Sequence, residues 1–496
     1  MSKKLYYSAC SIAVPHIGVI IDDILTSKKS GDEVFWCYCH CALSSCFMNL
    51  NGAPTFCSFC HSMYRKYKKE YAKDINMLAI DREKFNHVEH QWQFENLDQV
   101  KKLKYRDVYV GDSILSLYFS ITRDLDVVRF DEFKSYALPL VDEICDFVDY
   151  VYELIDRIKP DEIISYNGRL FENRLFYDIS KILKIEYTAL EVVGGIVEPY
   201  KKQTFKGDLP HSIVLNTRRI ESLWSNSPLS DEQKNEIASS FYSRRRGGEL
   251  VADVAVYTSS QKRGLLPSGF DQRKKNVAIF NSSQDEMAAL GGEWEQGKLF
   301  STQYEAIEYL LKHTDSSIHY YLRVHPNLRG VNHKEHLDLY KLKSYNNITI
   351  VPPESDVSTY ALLDSCEKVI TFGSTMGVEA TFWGKPSILL GRSLYENLNA
   401  CYTPKNVDEL ISLIEKDIPA KDRLGAIKYA YYLLDRQYKI DKNIIDVDVT
   451  YKKCRWVFRY ASYLKICGSQ LLYQLAYWVY CIILPKFCKG NGRFPY

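Results

Sequence analysis

The sequence has no excess of either charge. Its 64 Lys and Arg stand against 62 Asp and Glu, a formal net charge of +2 over 496 residues, which argues against a bulk nucleic-acid binder. The basic cluster Arg244-Arg245-Arg246 stands alone and reads as a solvated loop. No internal repeat of fixed period and no low-complexity tract is present. The opening β-α-β pattern carries no G-x-G-x-x-G, which removes the dinucleotide fingerprint. MSKKLYYSACSIAVPH lacks the long apolar core and small-residue cleavage site of a secretory signal. With 14 Cys in the chain, this sets the expectation of reduced thiols in a cytoplasmic protein. The longest apolar run, Leu471 to Leu484 (LLYQLAYWVYCIIL), would span about 21 Å as a helix, short of a bilayer core of roughly 30 Å.

The chain is ordinary in bulk, with 46% hydrophobic and 25% charged residues, and is long enough for two or three domains with separate cores. Aromatics reach 14%, led by 38 Tyr; such surfaces suit sugars, and buried Tyr accounts for the content equally well. Leu5 to Ala9 reads as a first strand, Val19 to Thr26 as the start of a helix, and Glu33 to Tyr38 as the next strand. A Cys-rich insertion follows at residues 37–60. Within it Cys39, Cys46, Cys57 and Cys60 form C-x6-C-x10-C-x2-C, with Cys37, Cys41 and His40 as substitutes. Four thiolates satisfy a tetrahedral zinc, and the expectation is a closed structural site with Cys57 and Cys60 on a tight knuckle. The alternative is a set of small buried hydrophobes.

Further along, Val108 to Val110 reads as a short strand leading to Gly111-Asp112-Ser113, and Phe133 to Ile158 as a long amphipathic helix. Glu162 to Tyr166 is a strand running into Asn167-Gly168-Arg169, with Arg174 on the next helix. Glu186 to Glu191 is another strand, closed by Gly194-Gly195. In a doubly wound sheet ligands sit outside the carboxyl ends of strands, where Asn167, Arg169 and Glu191 fall; Asn167-Gly168 also reads as a plain turn. Residues 258–275, polar with Gly and Pro breaks, are the candidate linker.

A second alternation of strands and helices begins at Asn276 and predicts a parallel sheet with right-handed crossovers. One of its strands ends at His325-Pro326-Asn327. It culminates in VITFGSTMGVEATFWGKPSILLG, residues 369–391. There a buried strand turns through Gly373, Ser374 and Thr375 into a helix carrying Glu379, which reads as an anion site beside a sugar hydroxyl. His325, at a strand end in the same unit, can donate to a phosphate oxygen. The basic and aromatic tail suits an interfacial helix on an anionic membrane surface, or a helix packed back on the domains.

These residues together resemble capsular polysaccharide biosynthesis glycosyltransferases of the GT-B arrangement. The resemblance rests on Asn167-Gly168-Arg169 with Arg174, Glu191 before Gly194-Gly195, His325-Pro326, and the 369–391 segment. It implies an α/β fold of two Rossmann-like domains facing across a cleft. Residues 1–257 would form the acceptor domain, 276–440 the donor domain, and 441–496 a helical tail. It implies donor binding by His325, Pro326, Gly373, Ser374 and Thr375, with Glu379 near the ribose and a CMP-sugar favoured. No D/E-D/E-G acid motif is present, so His16, Asp112 and Glu191 stand as base candidates, with Asn167, Arg169 and Arg174 in the cleft. The expected reaction is a metal-independent transfer from a nucleotide sugar to a polysaccharide or glycolipid, at or near the cytoplasmic face of the inner membrane. Rival readings are a nucleotide-sugar 2-epimerase, a CDP-polyol phosphotransferase, and a non-catalytic assembly subunit.

Overall fold

In the computed structural model, residues 1–11, 16–49, 54–193, 201–252, 256–283, 287–331 and 334–434 are described. The expected tail, the Leu471 to Leu484 run and Gly194-Gly195 lie outside them. The first lobe runs β1 (Lys3–Ser8), α1 (His16–Lys29), β2 (Glu33–His40), α2 (Pro54–Tyr71), β3 (Asn76–Asp81), α3 (Leu97–Lys101), α4 (Val110–Thr122), α5 (Phe130–Ile158), β4 (Glu162–Tyr166), α6 (Phe171–Leu183), β5 (Glu186–Val193) and β6 (Lys201–Lys206). Helices α7 (Ile213–Asn226) and α8 (Asp231–Arg246) follow. The second lobe runs β7 (Lys275–Phe280), α9 (Gln303–His313), β8 (Ile318–Arg323), α10 (Lys334–Lys341), β9 (Ile348–Val351), α11 (Thr359–Ser365), β10 (Lys368–Thr371), α12 (Met376–Phe382), β11 (Ser387–Leu389), α13 (Val407–Glu415) and α14 (Leu424–Leu434).

Each lobe is a twisted sheet between helices, the expected Rossmann-like pair. The first sheet has strand order β3-β2-β1-β4-β5-β6 and the second β11-β10-β7-β8-β9. All pairings are parallel except β5 with β6. Strands covered on both faces read as unbroken apolar runs; Val277, Ala278, Ile279 and Phe280 of β7 are all buried. Strand order reverses between β1 and β4 in the first sheet and between β7 and β10 in the second. Those switch points open a crevice at the carboxyl ends of the strands.

The lobes are interleaved. Helices α7 and α8, which the expected boundary at 257 puts in the first domain, bury Ile220, Trp224, Phe241 and Tyr242 against Phe382, Tyr395 and the α14 residues Tyr429 and Tyr431. In the reverse direction, Ala289, Leu290 and Trp294, which follow β7, belong to the first lobe's core. The expected strand at 108–110 is not one: Tyr105 and Val108 form an isolated bridge, and Val110 already begins α4.

The expected tight knuckle at Cys57 and Cys60 does not form. Cys57 and Cys60 lie on α2, a regular helix. Asn49 Nδ2 donates to Cys57 Sγ at 3.3 Å, Ser11 donates to Cys60 Sγ, and Cys10 Sγ lies 4.0 Å from Cys60 Sγ. Among the described residues no group of three or more His, Cys, Asp or Glu is placed to hold a metal ion. Nor is any described helix long and apolar enough to cross a membrane.

Candidate active site

A cleft of about 470 Å³ opens between the lobes, and the crest of the second sheet forms most of its wall. Ser282 and Ser283 come from the end of β7, His325 and Asn327 from the end of β8, Gly373 and Ser374 from β10, and Gly391 and Arg392 from β11. Lys101, Phe119, Leu125 and Asp126 of the first lobe face them. The cleft therefore sits over the β7/β10 switch point.

Each crest segment is held from behind. Gln303, the first residue of α9, clamps Ser282 like a short strand: its Oε1 accepts from Ser282 N at 3.0 Å and its Nε2 donates to Ser282 O at 2.9 Å. Asn281 Oδ1 accepts from His325 N at 2.7 Å, tying the β7 and β8 ends together. Asn327 N donates to His325 Nδ1 at 3.2 Å. That bond makes Nδ1 the acceptor, so a neutral imidazole carries its proton on Nε2. Tyr257 stands edge-on to the same ring with centroids 5.0 Å apart.

The turn after β10 needs glycine. Gly373 has φ +118°, and a Cβ there would meet the Arg392 carbonyl oxygen at 2.6 Å. Ser374 Oγ accepts from Met376 N at 3.3 Å, and its carbonyl accepts from Tyr395 Oη at 2.5 Å. Of the two hydroxyls expected at this turn, only Ser374 lines the cleft. Thr375 faces inward, donating to Glu379 Oε1 at 3.3 Å and accepting from Arg245 Nη2 at 3.5 Å.

Glu379, expected near the ribose, does not line the cleft either. It is 0% exposed, accepting from Tyr360 Oη at 2.6 Å and from Arg245 Nε at 3.2 Å. Burial opposes the Arg245 cation, but Glu379 and Tyr360 outweigh it and hold the guanidinium above its ordinary value. Glu379 follows Ser374 by little more than one helical turn, but helix α12 turns its side chain to the rear.

Two of the three base candidates, His16 and Glu191, meet at the crest of the first sheet, over its own switch point; neither they nor Asn167 and Arg169, expected in the cleft, are among the residues that line it. His16 stacks on Tyr166 with centroids 3.9 Å apart, and burial pushes its imidazole down to about 4. Tyr166 Oη donates to Glu191 at 3.0 Å, and Asn167 Nδ2 donates to the other Glu191 oxygen. Burial raises the Glu191 carboxyl above its usual range. Asn167 has φ +62°, a left-handed conformation that Asn tolerates, and its Oδ1 accepts from Arg169 N at 3.0 Å.

Asp112 and Arg174 do something else. Both are buried, and Arg174 Nη2 lies 3.5 Å from Asp112 while its Nε bonds Asp178 at 2.9 Å. Arg174 Nη1 then donates to the Ala289 and Leu290 carbonyls at 3.2 and 3.3 Å. Burial pushes Asp112 up to about 6, against the pull of Arg174. This is a clasp that fastens the segment after β7 onto the first lobe, not a cleft surface.

Sequence reasoning missed Ser282, Gln303, Lys298 and Arg392, all on the cleft wall. The signal was available for Ser282 and Arg392: each follows a strand that neighbours the switch point.

Residues 292–399 match the family model described as capsule polysaccharide biosynthesis protein. That segment contains His325, Ser374, Lys298 and Arg392, and supports the resemblance drawn from the sequence. No curated protein matches the chain. Among solved structures, the chain is similar to KpsC of Thermosulfurimonas dismutans, described as a beta Kdo 2,4 transferase. Identity there is 15% over 55% of this chain and 79% of that one, with a TM-score of 0.35. UDP-GlcNAc 2-epimerase of Methanocaldococcus jannaschii is 11% identical over 88% and 98%, with a TM-score of 0.27. The Streptomyces sp. SF2575 glycosyltransferase SsfS6 is 8% identical over 88% and 96%, with a TM-score of 0.22. At these values the likenesses carry nothing about activity.

Proposed function

We propose that this protein is a glycosyltransferase of capsular or related surface polysaccharide synthesis, and that the interlobe cleft holds its nucleotide-sugar donor. The observation that carries the reading is the position of His325 and Ser374 on one cleft wall, over the β7/β10 switch point, inside the segment that matches the capsule family.

The chemistry asked of the site is stabilisation of a departing phosphate. His325 Nε2–H and the Ser374 hydroxyl supply donors to oxygens that gain charge as the glycosidic bond to phosphate breaks. In a cleft that closes over the donor, such donors are worth more than in water. An acceptor hydroxyl loses its proton to a group of the first lobe. His16 and Glu191 are the candidates for that role; Asp112 is assigned to the clasp. A neutral His16 has a lone pair for the proton at physiological pH, and Glu191 is oriented by Tyr166 and Asn167. With the leaving group stabilised by the His325 and Ser374 donors, the transfer is proposed to need no divalent metal ion. The resemblance favours a CMP-sugar donor and a polysaccharide or glycolipid acceptor.

His325→Ala and Ser374→Ala are each expected to lower kcat about 10²–10³-fold, as loss of one oxyanion donor does, with an unchanged melting temperature. Near-normal transfer in both would discard the site. Of His16→Ala and Glu191→Gln, the substitution that removes the base is expected to cut kcat with little change in donor KM; normal kcat in both rejects a base on that crest. Excess chelator should leave the rate unchanged. Conversion of free nucleotide sugar without acceptor would instead indicate an epimerase.

A further inference from the structure

Beyond His325 and Ser374, the cleft has a second cationic spot. Lys298 lines both the main cleft and a smaller pocket of about 120 Å³ beside it, and Arg392 is shared in the same way. The smaller pocket is polar, with Asn397 and Thr403 among its walls. Arg392 is held in place: Nη1 donates to the Gln296 carbonyl at 2.6 Å and Nη2 pairs with Glu396 at 2.6 Å, while its buried Nε has no hydrogen-bond partner among the described residues. Lys101 approaches from the first lobe and pairs with Glu295 at 3.3 Å. Lys298 itself makes no hydrogen bond or ion pair with any described residue. Burial holds its ammonium below the ordinary range; Lys101 and Arg392 push the same way, against Glu295 and Glu335. With Glu295 paired to Lys101 and Glu396, also on the pocket wall, paired to Arg392, an ammonium placed among other cations is a site that an anion would complete.

We propose that Lys298 and Arg392 bind a second oxyanion of the substrate, apart from the phosphate at His325 and Ser374, so that the cleft selects ligands with two anionic groups. This rests on the glycosyltransferase reading and narrows its substrate class. The second oxyanion is a phosphoryl group or a sugar carboxylate, both of which match a lysine ammonium beside an arginine fork. The pocket has room for such a group with several waters, each of which occupies about 30 Å³ in the liquid.

The test is titration of the full chain with cytidine, uridine and guanosine mono- and diphosphates at low salt, and with glucuronate in the presence of the tightest monophosphate. Lys298→Met is the variant, since Lys298 supports no other side chain, and its melting temperature reports the fold. If the second oxyanion is a phosphate, the parent binds a diphosphate at least tenfold tighter than its monophosphate and the variant loses that margin. If it is a carboxylate, the parent shows no such margin but binds glucuronate, and the variant does not. A variant that matches the parent for every probe overturns the subsite while leaving the main cleft intact. A parent that binds no nucleotide overturns both the subsite and the function it rests on.

Discussion

At the scale of single residues, the most consequential contact is one the cleft never shows. Arg245 and Glu379 pair at 3.2 Å, with Glu379 fully enclosed and Tyr360 and Thr375 completing its shell. Removing one member of such a pair leaves an uncompensated charge, at a cost of about 3–5 kcal/mol. Arg245→Met is expected to lose that much stability in urea unfolding, and Arg245→Met with Glu379→Gln to recover part of it. A single variant within about 0.5 kcal/mol of the parent would mean the pair is solvated after all. The sequence showed Arg245 only as one of three adjacent arginines, which read as solvent-facing. Spacing along a helix does not reveal which of three like charges finds a carboxylate more than a hundred positions away.

Among the elements, the strands were the legible part. Val369 to Phe372 and Glu162 to Tyr166 are buried because both sheet faces are covered, and both read correctly as strands. The miss was β6, KKQTFK, whose three lysines hide a strand that pairs antiparallel at the sheet's edge; edge strands are commonly guarded by lysine in this way. Cys57-x-x-Cys60 was read as a knuckle because the spacing suits one, yet i and i+3 also share a helix face, and α2 takes them. The crest turns depend on close backbone approach. A Cβ on Gly391 would lie 2.3 Å from the Phe372 carbonyl oxygen. Gly391→Ala is expected to cost about 1–3 kcal/mol by overpacking and to weaken nucleotide binding by shifting Gly373. Parent-like unfolding and binding in that variant would contradict the approach.

For the molecule as a whole, the seam between lobes contributes to the response to acid. His211, whose carbonyl accepts from Trp294 Nε1 at 2.9 Å, has its imidazole pushed by burial down to about 3. The unfolded chain takes up that proton below about 6.5 and the folded chain does not. The contribution of His211 to stability therefore falls as pH drops from about 6.5 towards 3, by up to roughly 1.4 kcal/mol per unit. His16 acts with the same sign down to about 4, while the buried carboxyls of Glu172 and Asp112, raised to about 8 and about 6, act with the opposite sign. His211→Asn is expected to flatten the slope of unfolding free energy between pH 6.5 and 5; an unchanged slope would remove His211 from the account. The two-lobe architecture was visible in the alternation of strands and helices. Its interleaving was not, because amphipathic helices such as α7 and α8 announce that they pack, never against what.

That interleaving bears on how the polypeptide is made. Tyr242 donates to the Ala426 carbonyl across 184 positions of sequence, and Phe241 and Tyr242 of α8 share their cluster with α7, with Phe382 and with the last described helix. During synthesis the leading sheet can be complete while α7 and α8 still trail greasy and unmatched from the ribosome, awaiting residues not yet translated. A gene severed after position 257 should accordingly yield an insoluble front fragment, whereas one severed after the β6 strand, at 208, should leave a back fragment that keeps its own closing helices.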